Sequence, residues 1–245
     1  MLSPLATGIC AGLGAAGAVG LAAGGFAYAS LWPGSRIFGT AMIAPRRPGE
    51  IALTFDDGPN PEWTPRLLDA LARHDVKATF FMLGKFAEAQ PELVRRVEGE
   101  GHVIGDHSWS HPHLSQCPAK RIEEELKRTK DKLEQIVGCQ VRFFRPPFGA
   151  RRPAVFRIAR ELGLEPVLWN AMTNDWAEPS AQKISETLGK RVDGLLQRGF
   201  AANIVLHDGN HREAAGKRGP SVAAAGMIVE RYKASARFVT LEAWG

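Results

Sequence analysis

The chain has 245 residues, of which 44% are hydrophobic, 23% charged and 8% aromatic. These fractions exclude a disordered, collagen-like or disulfide-scaffold protein and leave length for one barrel or open-sheet core. The net charge of +5 suits an anionic cell surface, but no dense Lys/Arg cluster with interleaved aromatics points to nucleic acid.

From Met1 to Ser35 no side chain is charged. The run from Leu5 to Leu31 is Ala, Gly, Leu, Val and Phe almost throughout, long enough as a helix to cross a bilayer core of about 30 Å. Gly8 and Gly12, then Gly20 and Gly24, have the small-xxx-small spacing of close helix contacts. The expectation is a membrane anchor. A cleaved signal peptide is the competing reading, because Ala27-Tyr28-Ala29 resembles a cleavage site although no basic residue precedes the apolar run. Arg36, Arg46 and Arg47 follow, and the positive-inside rule then conflicts with a body outside the cell. Residues 1–33 therefore read as anchor or signal, 34–49 as a Pro/Gly-rich linker, and 50–245 as the folded domain.

Beyond the linker, short β-prone runs alternate with amphipathic helical stretches. The strands expected are Ile51–Phe55, Ala78–Leu83, Val103–Ile104, Val141–Phe144, Pro166–Trp169, Asn203–Leu206 and Phe238–Leu241. Thr64 and Pro65 read as N-cap and first residue of a helix through Leu67–Ala72. Another helix opens at Pro91, and Ile122, Leu126, Leu133 and Ile136 keep helical spacing in the longest one. Further helices are expected over Ala154–Leu162, Ala181–Leu196 and Val222–Tyr232. Seven strands alternating with six helices imply βαβ units and a parallel sheet, either closed as a barrel or open and doubly wound. Both put the chemistry at the C-terminal ends of the strands.

Polar residues do gather at those ends. Asp56 and Asp57 follow the first strand, His107 and His111 the third, Arg145 the fourth, Asp175 the fifth and His207 the sixth. Asp-Asp-Gly-Pro is also a good turn, but an imidazole pair elsewhere changes its meaning. His107 and His111 are four apart, so on a helical turn both rings face one way and can bind one metal ion. One aspartate added to them gives three protein ligands and an open position, the pattern of a catalytic zinc site. His113, Ser108 and Ser110 read as packing or loop residues. Cys117 and Cys139 read as free thiols rather than a pair.

In order, the runs TFDDGP, HSWSH, RPPF, Asp175-Trp176 and IVLHD resemble the polysaccharide deacetylases, the chitooligosaccharide deacetylase or carbohydrate esterase family 4 group. The resemblance covers residues 50–242. It implies an α/β fold, a distorted (β/α) barrel of about seven parallel strands, here preceded by an N-terminal hydrophobic helix. It also implies removal of acetyl groups from N-acetylglucosamine units of peptidoglycan, chitin or a related glycan, with a divalent metal ion, zinc first. The resemblance assigns Asp57, His107 and His111 to the metal, Asp56 to the catalytic base, Arg145 to its orientation and His207 to the general acid. Phe148 and Trp176 become aromatic walls of the substrate site, which Val205, Leu206 and Asp175 also line. The partners implied are an N-acetylated glycan and, through the N-terminus, a membrane, with no nucleic acid. The place implied is the bacterial envelope, facing periplasm or exterior, with secretion after cleavage as the alternative.

The family often reads D-x-x-D-W where this chain has Met172-Thr173-Asn174-Asp175-Trp176. Methionine in place of the first aspartate, taken as the support of the histidine, leads us to expect a His207 of lowered pKa, with Asp175 or Asp208 as substitutes. Three other readings stand: an amidohydrolase of the same fold acting on another small or lipid-linked amide, a catalytically weak glycan-binding module, and a structural membrane protein with unrelated polar turns.

Overall fold

The computed structural model describes residues 24–245. Most of the expected anchor lies outside them; its last part, α1, is helical over 24–31. No helix among the described residues is long and apolar enough to cross a membrane.

The first half of the body runs β1 (Glu50–Gly58), α2 (Trp63–Ala72), β2 (Thr79–Met82), α3 (Gly84–Ala89), α4 (Pro91–Gly99), β3 (Val103–Asp106) and α5 (Ala119–Val137). The second half runs β4 (Phe143–Phe144), α6 (Pro153–Glu161), β5 (Glu165–Pro166), β6 (Ala171–Met172), α7 (Ala181–Gln197), β7 (Ala202–His207), α8 (Gly219–Tyr232) and β8 (Arg237–Val239). Seven strands lie in the order β5-β4-β3-β2-β1-β7-β6, all parallel, and β8 pairs with the start of β1. Each strand stands beside its predecessor around a ring that begins and ends at the gap between β5 and β6. The sheet therefore curls as a distorted (β/α) barrel and has no doubly wound reversal.

Residues of the expected linker fill that gap. Met42 bridges to Val167, and its N–H and C=O bond Pro166 O and Leu168 N at 2.8 Å each. The Asn203 amide on β7 donates to Ile43 O and Leu168 O, both at 2.8 Å. The chain from 166 to 170 turns to make these contacts, so most of the expected strand Pro166–Trp169 is not a strand; β5 ends at Pro166 and β6 begins beyond it at Ala171.

Strand alternation sorts the side chains. Ile51, Leu53 and Phe55 of β1 and Ala202, Ile204 and Leu206 of β7 face the helices in the main core. Ala52 joins Phe81, Phe143, Val167, Val239 and Leu241 in a second cluster that fills the barrel interior. Thr54, Asp56, Val205 and His207 share the interior parity, above that apolar plug.

One helix start differs from expectation. The α2 helix begins at Trp63, and the Asn60 side chain accepts from the N–H groups of Glu62 (2.9 Å) and Trp63 (3.1 Å). Thr64 is buried instead, accepting from Asn60 N and donating to Asp208. The free N–H groups were satisfied by the residue whose short carboxamide reaches back over the turn.

Near the ring's upper edge, the fully buried Arg151 donates to the carbonyls of Ser30, Trp32, Ser35 and Gly149. It fastens the end of α1 to the loop carrying Phe148.

Asn203→Ala is expected to leave the buried Leu168 carbonyl and the half-buried Ile43 carbonyl without this donor, the buried one costing about 1–3 kcal/mol. Urea denaturation should show a loss of about 2 kcal/mol or more, with the far-UV spectrum unchanged.

Candidate metal and catalytic site

The ends of β1, β3, β4 and β7 meet at one mouth of the barrel. Regular pleating would send Asp56 and Asp57 to opposite faces. The register with β2 breaks between Asp56 and Gly58, and Asp57 takes φ 71°, so the second carboxylate swings over the same mouth. The turn is locked from β7, since a Cβ on Gly209 would lie 1.9 Å from Asp57 O.

His107 and His111 arrive from the other side on a loop. It is not the helical turn their spacing suggested: no helix spans 107–113, and Ser108 and His111 have φ 68° and 62°. Hydrogen bonds shape it. Asp106 Oδ1 accepts from Ser108 N (2.6 Å), Ser108 Oγ from His111 N (3.1 Å), and Glu125 from Ser110 N (2.7 Å) and Oγ (2.8 Å). Ser108 and Ser110 thus act as loop hydrogen bonders. Left-handed non-glycine residues cost about 1–3 kcal/mol each and persist where surrounding bonds fix them.

Asp57 Oδ1 lies 3.2 Å from His111 Nε2 and 3.6 Å from His107 Nε2, and it is buried with no hydrogen-bond donor. His107 Nδ1 donates to Arg145 O at 2.8 Å, which leaves its Nε2 lone pair facing inward. One atom from each of the three residues falls within 4.8 Å of the others. A donorless buried carboxylate oxygen facing two imidazole Nε2 atoms is the chemistry of a divalent-cation site. The electrostatics agree. Burial alone would raise the Asp57 carboxyl, but His211, then His111, His207 and His107, hold it below the usual range. Burial, then the neighbouring His107, pushes His111 down to about 2, so it stays neutral.

Asp56 is held differently. Arg145 Nη1 donates to Asp56 Oδ1 at 2.8 Å and to Thr54 Oγ1 at 2.7 Å, and the Thr54 hydroxyl donates to Ile204 O. The Arg145 guanidinium is completely buried and lies 4.2 Å from the Phe81 ring centroid, so the barrel plug supports it from below. Asp56 Oδ2 stays 4.0 Å from His107 Nε2.

His207, at the end of β7, carries its own carboxylate. Nδ1 lies 2.9 Å from Asp175 Oδ1, while Asp175 Oδ2 accepts from His207 N (2.8 Å) and from Ser221 Oγ. Burial lowers the imidazole, but Asp175 foremost, with Asp57 and Asp56, raises His207 to about 9. The expected lowering is therefore reversed, because the aspartate beside Trp176 makes the contact and Met172 merely pairs with Val205. Asp208 is no substitute. Burial pushes it up to about 7, and it bonds Thr64 and packs against Gly58.

Three residues expected to line the substrate site are buried. Asp175 lies behind His207, with its carboxylate engaged by that residue and by Ser221. Leu206 points into the helix-facing core, as strand alternation from His207 requires. Val205 shares the side of His207 but is fully covered between β1 and β6. Phe148 and Trp176, expected as aromatic walls, are exposed at 44% and 47%. The Phe148 ring stacks on His113 (3.9 Å) and meets His111 edge-on (4.5 Å), while Trp176 meets His207 edge-on (5.2 Å). Thr54, Ser221 and His211 were not anticipated. The alternation of β1 could have found Thr54; nothing in the sequence marks Ser221 or His211.

The family profile of polysaccharide deacetylase matches residues 44–167. A peptidoglycan-N-acetylglucosamine deacetylase of Bacillus cereus is 38% identical over 202 residues, 82% of this chain and 70% of that protein. A chitooligosaccharide deacetylase of Azorhizobium caulinodans is 34% identical over 175 residues, 71% of this chain and 80% of that protein. Among solved structures, the Bc1960 peptidoglycan N-acetylglucosamine deacetylase superposes with TM-score 0.74 at 35% identity, covering 83% of this chain and 91% of the other.

The metal site predicts a thermal test. Zinc at about 100 times its dissociation constant should stabilise the metal-free chain by about 2.7 kcal/mol. Asp57→Ala should abolish the shift in melting temperature, and EDTA should reverse it in the unaltered chain.

Proposed function

The chain belongs to the polysaccharide deacetylase family, and from that premise we propose that it hydrolyses the N-acetyl groups of N-acetylglucosamine units in a bacterial envelope glycan, peptidoglycan first, with zinc as its ion. The observation carrying this reading is the separation of two adjacent carboxylates. Asp57 offers a donorless oxygen to two imidazoles, while Asp56, tied to Arg145, stays outside that ligand set.

Asp57, His107 and His111 would hold the zinc ion, which when bound would supply Lewis acidity toward the amide carbonyl and toward a water. Asp56 then takes the proton from the attacking water, and Arg145 keeps its carboxylate oriented while Oδ2 faces the mouth. His207 stands protonated at neutral pH and gives its proton to the departing nitrogen, which an amide needs because an amide anion does not leave. The products are acetate and the free amine. Phe148 and Trp176 flank the site as exposed rings against which the apolar faces of sugar and methyl can pack. The uncharged N-terminal stretch fits delivery of this activity to the envelope, as a tether or an export signal. The binding-module reading loses its motive, because His207 has its carboxylate.

Acetate release from N-acetylglucosamine oligomers and from peptidoglycan is the test. Asp56→Asn should keep zinc uptake and lose turnover by about 10²–10⁴-fold. A zinc-loaded chain that frees no acetate from any acetylated glycan would overturn the proposal. Asp175 raises the His207 pKa, so the acid form persists to higher pH and activity is lost as pH rises through that value. Asp175→Asn should therefore move the alkaline limb of kcat/KM to lower pH, while the acid limb stays in place.

A further inference from the structure

The three ligand residues are not equally supported. A metal-binding histidine ordinarily donates its second ring N–H to a carbonyl or carboxylate, which fixes the ring. His107 does so through Arg145 O. His111 does not: its Nδ1 is buried and makes no hydrogen bond. Its ring is held by neighbours instead. His211 stacks on it with centroids 4.3 Å apart and planes 14° from parallel, and the Phe148 edge meets it at 4.5 Å.

The same His211 reaches a second ligand. Its Nδ1 lies 3.5 Å from Asp57 Oδ2, the oxygen turned away from His107 and His111. One side chain thus touches two of the three ligand residues, one through its ring face and one through a ring nitrogen. Its loop is built to keep it there. Lys85 Nζ donates to His211 O (2.7 Å), Asn60 Nδ2 to Gly216 O (2.9 Å), and the buried Arg218 Nε to Gly209 O (2.5 Å). At 31% side-chain exposure, His211 sits on the rim and covers the ligands from solvent.

We propose that His211 is a positioning residue of the metal centre, holding Asp57 through Oδ2 and His111 through ring stacking so that Oδ1 and Nε2 converge on one cation. This rests on the metal site proposed above and adds a residue outside its ligand set. It makes metal affinity depend on the loop that follows β7, where the chain is otherwise remote from His111.

The test is zinc affinity, measured on metal-free protein by competition with a chromophoric chelator. His211→Ala should weaken binding by about 10–100-fold, the usual effect of losing a ligand's support. His211→Asn keeps a donor toward Asp57, and His211→Phe keeps the stack on His111. Each should fall between His211→Ala and the unaltered chain. The melting temperature of each metal-free variant, expected to match that of the unaltered chain, separates support of the ion from support of the fold. Zinc affinity of His211→Ala within two-fold of the unaltered chain overturns the proposal alone. Absence of zinc binding by the unaltered chain overturns it together with the metal site.

Discussion

A pleated strand cannot aim two consecutive side chains at one point, yet this protein brings both Asp56 and Asp57 to the same mouth. The break in pairing after Asp56 resolves the conflict: the backbone turns left-handed at Asp57, and the second carboxylate is added to the side the first already faces. Such a turn is unfavourable for an aspartate, so neighbouring segments must hold it. The Asp-Gly pairs at the ends of β1 and β7 do this reciprocally, with Gly58 against the Asp208 side chain and Gly209 against the Asp57 carbonyl. The two runs that carry Asp56, Asp57 and His207 are thus pressed together by glycines on each.

Beneath that turn, the interior is graded from apolar to ionic. Phe81, Phe143 and Val167 fill the bottom of the barrel; Arg145 lies above them over the Phe81 ring; Thr54 and Asp56 take its hydrogen bonds; Asp57, His107 and His111 come last. A buried guanidinium without an acid would be expensive, and Asp56 supplies that acid. The arrangement leaves Asp56 one oxygen for Arg145 and one for the mouth. His207 follows the same logic on the opposite wall, where Asp175, itself held by Ser221, stabilises the imidazolium and raises its pKa. Asp56 and His207 therefore differ by partner: a cation behind the carboxylate, an anion behind the imidazole.

The two motifs most legible in the sequence were the ones whose residues act where they stand. Asp57, His107 and His111 converge as their types and order implied, and Arg145 reaches Asp56. Local geometry was less legible. The four-residue spacing of the histidines suggested a helical turn, whereas bonds from Asp106 and Glu125, the latter on a distant helix, bend a loop into the same effect. Met172 suggested a weakened acid because a motif position was weighed in place of a distance. Leu206 was expected at the substrate site, whereas the period of the strand, with His207 facing inward, sends it into the helix-facing core.

From the sequence alone came a parallel α/β body, polar strand ends and the chemical types gathered there, because strand and helix periods are local and each motif lies within a few residues of its strand. Closure into a barrel, the capture of residues 42–45 in the gap, the pairing of Asp175 with His207 and the approach of His211 to Asp57 and His111 were decided only in three dimensions. Each of these depends on where a chain segment returns after tens of residues, and the period of a strand or a helix carries no information about that return.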